Sequence, residues 1–453
     1  MAASAARSAA FDILLRVERE SSYASELLHS PSHQSLATAD HALATELVMG
    51  VLRWRSLLDD EIARTSSQPL SKLDLEILVA LRLALYQMRW LDRIPARAAI
   101  HESVELVKRA RKRSAAPFVN AVLRKLATNV PLAKHLSPTE ESLPAVARTQ
   151  AHPSWLVERW ASQYGLTTTS RICQYDQSVP ATAIRLRDPA AEAELSAESV
   201  QLASGSLLAT ARRVRSGDIT RTRAFRSRQI VIQDEASQLV AALVGHGSRI
   251  LDCCAAPGGK TLAMADRNPG ATITAVELHP HRARLLQKLL SGPRDTADSN
   301  LEPNIHVIVA DARYLPFSVP FDRILADVPC SGTGTLARNP EIKWRLQPRD
   351  LIDLAQRQHA ILTSAMSQVA PGGRLIYSTC SLEEEENENV IEQTLLKNSS
   401  FRVLDCRIEL ERLKTEGELI WPHPDSLTSG PYLRTLPGIH PCEGFFAAIL
   451  EKI

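Results

Sequence analysis

The sequence has few cysteines for its length and no long apolar run. Seven cysteines among 453 residues are too few for a disulfide scaffold, and none forms a CxxC pair, so we expect a reducing, cytoplasmic environment and no structural metal. No apolar stretch has transmembrane length and the N-terminus lacks a signal-peptide core, so we expect no membrane partner. Internal repeats are also absent, and a chain of this length should hold two or three domains.

The net charge is only +2, but the charge is unevenly distributed. Residues 82–134 contain 12 Lys/Arg and 3 acids, and residues 212–228 contain 7 Arg and 1 acid. Residues 1–81 show the opposite balance, with 7 basic and 11 acidic residues. Such runs are often only solvated helix faces, but two of them favour a polyanionic partner.

The first third of the chain has a purely helical pattern. Apolar residues recur at helical spacing through residues 1–130, with no strand-like alternation and no chemically reactive group, so we predict an all-α binding domain over 1–135. Proline-rich residues 130–153 then predict a linker. Residues 145–232 predict a small α+β domain with a helix at 155–164, a helix at 190–202, and strands at 183–186 and 230–232.

From residue 233 strands and helices alternate, which predicts an α/β domain with a doubly wound sheet over 233–453. The predicted strands are 248–252, 272–277, 305–309, 321–326, 374–378 and 445–450. The predicted helices are 235–244, one starting at 260, 281–290, 350–369 and 387–396. Residues 291–303 predict a polar loop without chemical use, and the acidic run 383–386 predicts an ordinary helix start.

Three of these strands deliver reactive groups where they end. One leads into Asp327-Val-Pro-Cys330, a second into Thr379-Cys380, and a third into Cys254-Ala-Ala-Pro-Gly-Gly-Lys260. Because open α/β sheets bind ligands at the carboxyl ends of their strands, we expect these groups to share one crevice.

The glycine turn is not a nucleotide P-loop, because Cys254 stands where that pattern needs its first glycine, and it is not a GxGxxG turn. Its glycines allow a ligand to approach a helix N-terminus. Glu277, at the end of the next strand, could hold ribose hydroxyls, and Asp311, after the third, could reach an adenine edge or an amino-acid moiety. A nucleoside without polyphosphate fits, so S-adenosylmethionine is the favoured cofactor, with NAD-type dinucleotides as the alternative.

The two thiols at strand ends indicate the chemistry. Addition of a thiolate to C6 of cytosine makes C5 nucleophilic toward a methyl sulfonium, after which a base must remove the C5 proton. Asp327, Cys330 and Cys380 supply an acid and two thiols for that sequence. A single buried cysteine is usually inert, and we expect Cys173, Cys253, Cys406 and Cys442 to be so.

The motifs Asp252-Cys-Cys-Ala-Ala-Pro-Gly-Gly-Lys-Thr261, Asp327-Val-Pro-Cys-Ser-Gly-Thr-Gly334 and Tyr377-Ser-Thr-Cys-Ser381 resemble those of the Sun-type RNA 5-methylcytosine methyltransferases. Gly50-Val-Leu-Arg-Trp-Arg55 and Phe118-Val-Asn-Ala-Val-Leu-Arg124 resemble the NusB-like RNA-binding domain of the bacterial branch, which acts on 16S ribosomal RNA. The resemblance covers nearly the whole chain.

The resemblance implies a Rossmann-like class I methyltransferase domain and a role for each matching residue. Cys380 would be the C6 nucleophile, Cys330 would assist product release or proton removal, Asp327 would hydrogen-bond the cytosine ring, and Lys260 would orient groups in the site. The S-adenosylmethionine pocket would be lined by Cys254, Ala255, Ala256, Pro257, Gly258, Gly259, Lys260, Glu277, Asp311 and Asp327. We expect a monomer whose partner is small-subunit ribosomal RNA.

Two other functions use the same features. A non-catalytic RNA-binding or ribosome-assembly factor could retain a methyltransferase fold, but it would have no need of Asp327, Cys330, Lys260 and Cys380 together. A methyltransferase acting on an exocyclic nitrogen could use the acid-proline strand end but needs no Cys380. Binding of S-adenosylmethionine tests the first alternative, and the position of the product methyl tests the second.

Overall fold

The computed structural model describes residues 3–20, 22–128, 142–290 and 304–453. Half of the predicted linker, residues 130–141, and the whole of the predicted loop 291–303 lie outside these ranges. The described half of the predicted linker contains a helix, Leu143–Thr149, which the prediction missed. The chain divides into two compact units: Met1–Val179 with Leu336–Arg345, here called the helical unit, and Pro180–Thr335 with Leu346–Ile453, here called the sheet unit. No helix in the described ranges is both long enough and apolar enough to cross a bilayer.

The helical unit is all-α in its described residues, as predicted. Its helices are α1 Ala5–Glu20, α2 Ala24–Leu28, α3 Pro31–Gln34, α4 Thr38–Arg53, α5 Arg55–Thr65, α6 Leu75–Trp90, α7 Ala96–Arg109, α8 Ala116–Thr128, α9 Leu143–Thr149, α10 Ser154–Tyr164 and α11 Leu166–Asp176. Helix α6 is buried on almost every side because it is apolar all round. Gly50 of α4 lies against it so closely that a Cβ there would come 1.9 Å from Cζ of Tyr86.

A segment from far along the sequence completes the helical unit. Residues 336–345, which contain the short helix α17 (Ile342–Arg345), pack on α2 and α4. Oε1 of Glu341 accepts the backbone N–H of Ala24 at 2.8 Å, and the indole of Trp344 donates to the carbonyl of Leu52 at 2.6 Å. The segment directly follows the Cys330 motif in sequence, so the sequence alone would assign it to the sheet unit. Only its tertiary contacts show that it belongs to the helical unit.

The sheet unit begins with a small antiparallel sheet in the strand order β2-β3-β1-β4. Its elements are β1 Ala183–Leu186, α12 Ala191–Ala197, β2 Gln201–Ser204, β3 Ala211–Ser216, α13 Arg223–Arg226 and β4 Ile230–Ile232. Strands β1 and β4 confirm the predictions. The predicted helix 190–202 is wrong beyond Ala197, because Ser199 takes a left-handed conformation (φ 64°) that ends the helix before β2.

The rest of the sheet unit is a nine-stranded mixed sheet within the described residues, in the order β11-β12-β13-β9-β8-β5-β6-β7, with β10 paired to β13. The strands are β5 Arg249–Asp252, β6 Thr272–Glu277, β7 Asn304–Val309, β8 Phe321–Asp327, β9 Val369–Thr379, β10 Phe401–Leu404, β11 Thr428–Ser429, β12 Tyr432–Thr435 and β13 Phe445–Lys452. The helices are α14 Glu235–Leu243, α15 Gly259–Arg267, α16 Pro280–Leu290, α18 Pro348–Ser367, α19 Glu388–Leu395 and α20 Cys406–Thr415.

Strands β5 to β9 are parallel, whereas β13 runs antiparallel to β9. The central strands are buried on both faces because helices cover them, which explains their continuous apolar runs. The predicted fold class is therefore confirmed: an all-α N-terminal part, a small α+β part and a Rossmann-like α/β part. The parallel strands bring their carboxyl ends to one edge of the sheet.

Candidate functional site at the carboxyl edge of the sheet

The two cysteines singled out from the sequence lie together at this edge. Strands β8 and β9 are neighbours, with Asp327 in register with Ser378, so the loops that follow them start side by side. Sγ of Cys330 lies 3.3 Å from Sγ of Cys380, and both side chains are partly exposed. The expected convergence of the thiols is therefore present in the structure.

The environment of Cys330 favours the protonated form of its thiol. The hydrogen bond with Cys380 and then burial raise the pKa of the Cys330 thiol well above its usual range, and the negative charge of Glu386 adds to this. Cys330 is therefore a neutral thiol at neutral pH, and its hydrogen-bond partner is the other sulfur.

A partly buried ion pair lies beside the thiols. Nζ of Lys260 donates to Oδ2 of Asp327 at 2.7 Å, and the hydroxyl of Ser378 donates to Oδ1 at 2.7 Å. Burial alone would lower the pKa of Lys260, but the carboxylate of Asp327 outweighs it, with Cys380 and Asp252 contributing, so the pKa of Lys260 is raised. The site thus contains an ion pair whose ammonium group interacts electrostatically with Cys380.

Residues 253–258 form the turn between β5 and α15, and they contain five of the ten residues predicted to bind the cofactor. Gly258 precedes α15 with φ 113°, and a Cβ there would come 2.8 Å from the side chains of Leu286 and Leu289, so only glycine fits. Behind the turn, Asp252 accepts the hydroxyl of Thr261 at 2.7 Å. Burial raises the pKa of Asp252 to about 7.

Glu277 and Asp311 follow the next two strands along the edge. Glu277 ends β6, and its Oε1 accepts the backbone N–H of His279 at 2.8 Å, while Oε2 takes no hydrogen bond from any described residue. Asp311 follows β7, and its carboxylate is held by the guanidinium of Arg313, which lowers the pKa of Asp311. A free acceptor on Glu277 and a glycine turn at a helix N-terminus fit an adenosine-type ligand such as S-adenosylmethionine.

One group of residues beneath the thiols was not predicted. The acidic run 383–386 stands directly before α19, so the predicted helix start is confirmed, but that prediction did not include the full burial of Glu383 and Glu386. The carboxylate of Glu386 accepts hydrogen bonds from Ser331, Ser381 and Gln358, which compensates it for the loss of water. The available signal was that a serine follows each reactive cysteine, at positions 331 and 381.

The basic run of the helical unit is only partly a surface. Arg82 and Arg89 are buried in ion pairs with Asp59 and Glu61, so they add nothing to an exposed basic patch. Within the part of this run that the structure describes, residues 82–128, the exposed cations are Arg93, Arg97, Lys108, Arg109, Arg111, Arg113, Arg124 and Lys125. Six of them, all but Lys108 and Arg109, form no ion pair with any described residue.

The second run is divided in the same way. Arg212 and Arg213 are paired with Glu192 and Glu235, and Arg228 donates to backbone carbonyls at the end of α16. The exposed members are Arg215, Arg221, Arg223 and Arg226. Both runs therefore retain exposed cations, although fewer than their composition suggests. Among the residues that the structure describes, no cluster of His, Cys, Asp or Glu could hold a metal ion.

The C-terminal part is a doubly wound sheet with a glycine turn and two paired thiols at its carboxyl edge, and it follows an all-α N-terminal part. This arrangement is that of a Rossmann-like methyltransferase fold joined to a helical domain. Residues 242–451 match the family of 16S rRNA methyltransferases RsmB/F, and residues 4–128 match the NusB family. Relatives match along the whole chain. The chain is 33% identical over 460 residues to the probable ribosomal RNA small subunit methyltransferase B of Bacillus subtilis (strain 168), covering 98% of each chain.

The chain belongs to this family of RsmB/F methyltransferases, as the sequence motifs predict. It is also 33% identical over 435 residues to ribosomal RNA small subunit methyltransferase B of Pseudomonas putida, covering 91% of each chain. A solved methyltransferase homolog protein from Pyrococcus horikoshii has 24% identity and a TM-score of 0.55 over 69% of this chain and 100% of its own. That structure supports the fold alone.

Proposed function

We propose that the protein transfers a methyl group from S-adenosylmethionine to C5 of a cytosine in small-subunit (16S) ribosomal RNA, through a covalent bond between Cys380 and C6. The observation that carries this proposal is the 3.3 Å separation of the Cys330 and Cys380 sulfur atoms at the edge of the sheet where such folds bind ligands. The names of the relatives in Bacillus subtilis and Pseudomonas putida support the RNA substrate.

The two thiols would act in turn. Cys380 loses its proton to solvent as its Sγ bonds to C6, and the electrons of the C5=C6 bond shift to make C5 a nucleophile. S-adenosylmethionine, when bound, supplies an electrophilic methyl group. The C5 proton must then leave, the bond between Cys380 and C6 breaks, and the ring becomes aromatic again.

Cys330 suits the proton-removal step for an electrostatic reason. The largest cause of its raised pKa is the hydrogen bond with Cys380. Once the Cys380 sulfur is bonded to C6 it is a thioether, which is only a weak hydrogen-bond acceptor, so that cause is weakened and the pKa of Cys330 should fall. A thiolate could then form at Cys330 when the C5 proton has to be taken.

The ion pair and the glycine turn have separate proposed roles. Asp327 would accept a hydrogen bond from the cytosine amino group, while Lys260 keeps that carboxylate oriented. Residues 254–260 together with Glu277, Asp311 and Asp327 would hold S-adenosylmethionine. In this proposal residues 1–135 and 145–232 bind RNA and residues 233–453 carry the chemistry, in a cytoplasmic monomer.

The exposed cations of the two basic runs support binding of a polyanion. Cytosine can meet two thiols only if it leaves its stack, which favours an unpaired or flipped base. Phosphate contacts should make RNA affinity fall steeply as salt rises.

The direct test mixes the protein with methyl-labelled S-adenosylmethionine and small-subunit ribosomal RNA from cells that lack the protein. We expect label on C5 of one cytosine, identified by mass spectrometry of the nucleosides. Label on the exocyclic nitrogen, or binding of S-adenosylmethionine without transfer to this RNA, would overturn the proposal.

A further inference from the structure

Glu386 has an unusual position for an acidic residue. It is fully buried, on a 3₁₀ turn (Glu384–Glu386) that precedes α19. Its Oε1 accepts hydrogen bonds from the backbone N–H of Ser331 at 2.8 Å and from Nε2 of Gln358 at 2.8 Å. Its Oε2 accepts the hydroxyl hydrogens of Ser331 and Ser381.

Three of these four donors come from the two loops that carry the thiols. Ser331 follows Cys330 directly, and Ser381 follows Cys380 directly. Gln358, on α18, also donates to the carbonyl of Pro329, on the other side of Cys330. One carboxylate therefore bridges both cysteine loops and the helix beneath them.

The four hydrogen bonds occupy the acceptor capacity of an ionised carboxylate. Other contacts also join the same loops: the hydroxyls of Ser331 and Ser381 lie 3.0 Å apart, the N–H of Gly334 donates to the carbonyl of Cys380 at 2.9 Å, and the N–H of Leu382 donates to the hydroxyl of Thr333 at 2.9 Å. Each of these contacts joins one residue of one loop to one residue of the other, whereas Glu386 bonds to Ser331, Ser381 and Gln358 together.

We propose that Glu386 is a positioning residue that holds the Cys330 and Cys380 loops at the separation needed for the two thiols to act on one base. The expected effect of Glu386 on catalysis rests on the proposed function. The expected effect of Glu386 on the spacing of the two thiols does not. Glu386 touches neither sulfur, and it acts through the serines next to them.

Substitutions at position 386 separate positioning from charge. In Glu386→Gln the amide oxygen can accept from Ser331 N–H and Gln358, and the amide nitrogen can donate to the two serine hydroxyls after these rotate. In Glu386→Ala all four donors lose their acceptor. Glu384→Ala is the matched control, because Glu384 lies exposed on the same turn.

The first measurement needs neither RNA nor S-adenosylmethionine. A phenyl arsenical, RAs(OH)₂, condenses with two neighbouring thiols to RAs(SR′)₂ and two waters, so its retention reports whether Cys330 and Cys380 can be bridged. We expect stable capture by the unmodified protein, Glu386→Gln and Glu384→Ala, and at least about tenfold faster loss from Glu386→Ala. Cys330→Ser must abolish capture at this pair.

The second measurement is steady-state methyl transfer to small-subunit RNA. Glu386→Ala should lower kcat about 100-fold, since displacement of a reacting group by about 1 Å costs that much. KM for RNA and for S-adenosylmethionine should change less than about threefold, and Glu386→Gln should restore most of kcat.

The outcomes decide the two proposals separately. Unchanged arsenical capture and unchanged kcat in Glu386→Ala would overturn the positioning role, and so would a Glu386→Gln protein as inactive as Glu386→Ala. If the unmodified protein captures the arsenical but methylates no cytosine C5, the proposed function fails while the positioning geometry stands. If Glu386→Ala does not fold, the double variant Ser331→Ala, Ser381→Ala removes both serine hydroxyl donors and must show the same faster loss.

Discussion

Two regions of the molecule contain similar reactive residue types in different electrostatic states. Each has a lysine, a carboxylate and a cysteine close together: Lys260, Asp327, Cys330 and Cys380 in the sheet unit, and Lys343, Asp176, Cys173 and His152 in the helical unit. The ammonium of Lys260 touches a carboxylate at 2.7 Å, and its pKa is raised. Lys343 instead donates to the backbone carbonyl of Arg53 at 3.1 Å, and burial lowers its pKa to about 7.

The other members of the helical-unit cluster are neutralised in the same way. Burial raises the pKa of Asp176 and of Cys173 well above their usual ranges, and burial lowers that of His152. The sheet-unit cluster is partly exposed and keeps a fixed charge, whereas the helical-unit cluster is closed to solvent. Residue type alone therefore does not make a reactive site; a charge partner and access do.

The largest effect should come from exchanging the cysteines of the two regions for alanine. Cys380→Ala removes the proposed nucleophile, so kcat for methyl transfer should fall by a factor of about 10⁴ or more. Cys173→Ala removes a buried sulfur outside the site and should leave kcat within about twofold. Initial rates with labelled S-adenosylmethionine measure kcat for both variants. Equal losses of kcat in the two variants would show that the two regions do not differ in their importance for catalysis.

The second largest difference should appear between variants of the two lysines, Lys260 and Lys343. Lys260→Met removes the partner of Asp327, so we expect kcat to fall about 100-fold through misplacement of that carboxylate. Lys343→Met replaces a buried lysine, neutral above pH 7, by an apolar chain of similar length, so kcat should be preserved and the free energy of unfolding should change by about 1 kcal/mol. Activity assays and urea unfolding at pH 8 check the pair; a catalytic loss in Lys343→Met would contradict the comparison.

The pH dependence of stability should show the lowered pKa of Lys343. Its pKa is 10.5 when unperturbed and about 7 in the folded protein, so between these values the unfolded state binds more protons. The free energy of unfolding of the unmodified protein should therefore rise relative to Lys343→Met from pH 7 to pH 10, by up to a few kcal/mol. Urea titrations at several pH values measure this, and a constant difference would show that Lys343 keeps its charge.

The smallest effect concerns the basic surface. Arg111 and Arg113 are exposed and form no ion pair with any described residue, so each is available to phosphate. The double change to glutamine should weaken RNA binding several-fold and lower the slope of log K against log salt by about 0.7 per lost contact. Arg284→Gln is the control, because Arg284 is an exposed cation outside both basic runs. An unchanged slope would exclude this surface from RNA binding.

Much of the sheet could be predicted from sequence because buried parallel strands give unmistakable apolar runs. The predicted bounds of strand β6 are those of the structure. The predicted carboxyl ends of β8 and β9 lie within one residue of the observed ends, which suffices to place Asp327, Cys330 and Cys380 at the same edge of the sheet. The missed strand β3 contains three arginines, so its composition indicates a basic surface rather than a strand. The short antiparallel strands β10 to β12 follow no regular pattern of alternation.

Glu386 and Lys343 could not be predicted because their surroundings are assembled by contacts distant in sequence. Glu386 appears as one of four consecutive acids, and only the approach of Ser331, 55 positions earlier, explains its burial. Lys343 lies 290 positions from Arg53, whose carbonyl accepts its hydrogen bond. The catalytic and cofactor-binding roles of the predicted site residues stay predictions, and assays of methyl transfer test them.

The most direct test is to identify the atom that bonds to the base. Cys330→Ala, incubated with S-adenosylmethionine and small-subunit RNA, should accumulate a denaturation-resistant protein–RNA complex, because the group proposed for proton removal and release is missing. Digestion and mass spectrometry should find cytosine joined to the peptide that contains Cys380. A linkage at any other residue, or trapping by Cys380→Ala instead, would contradict the account.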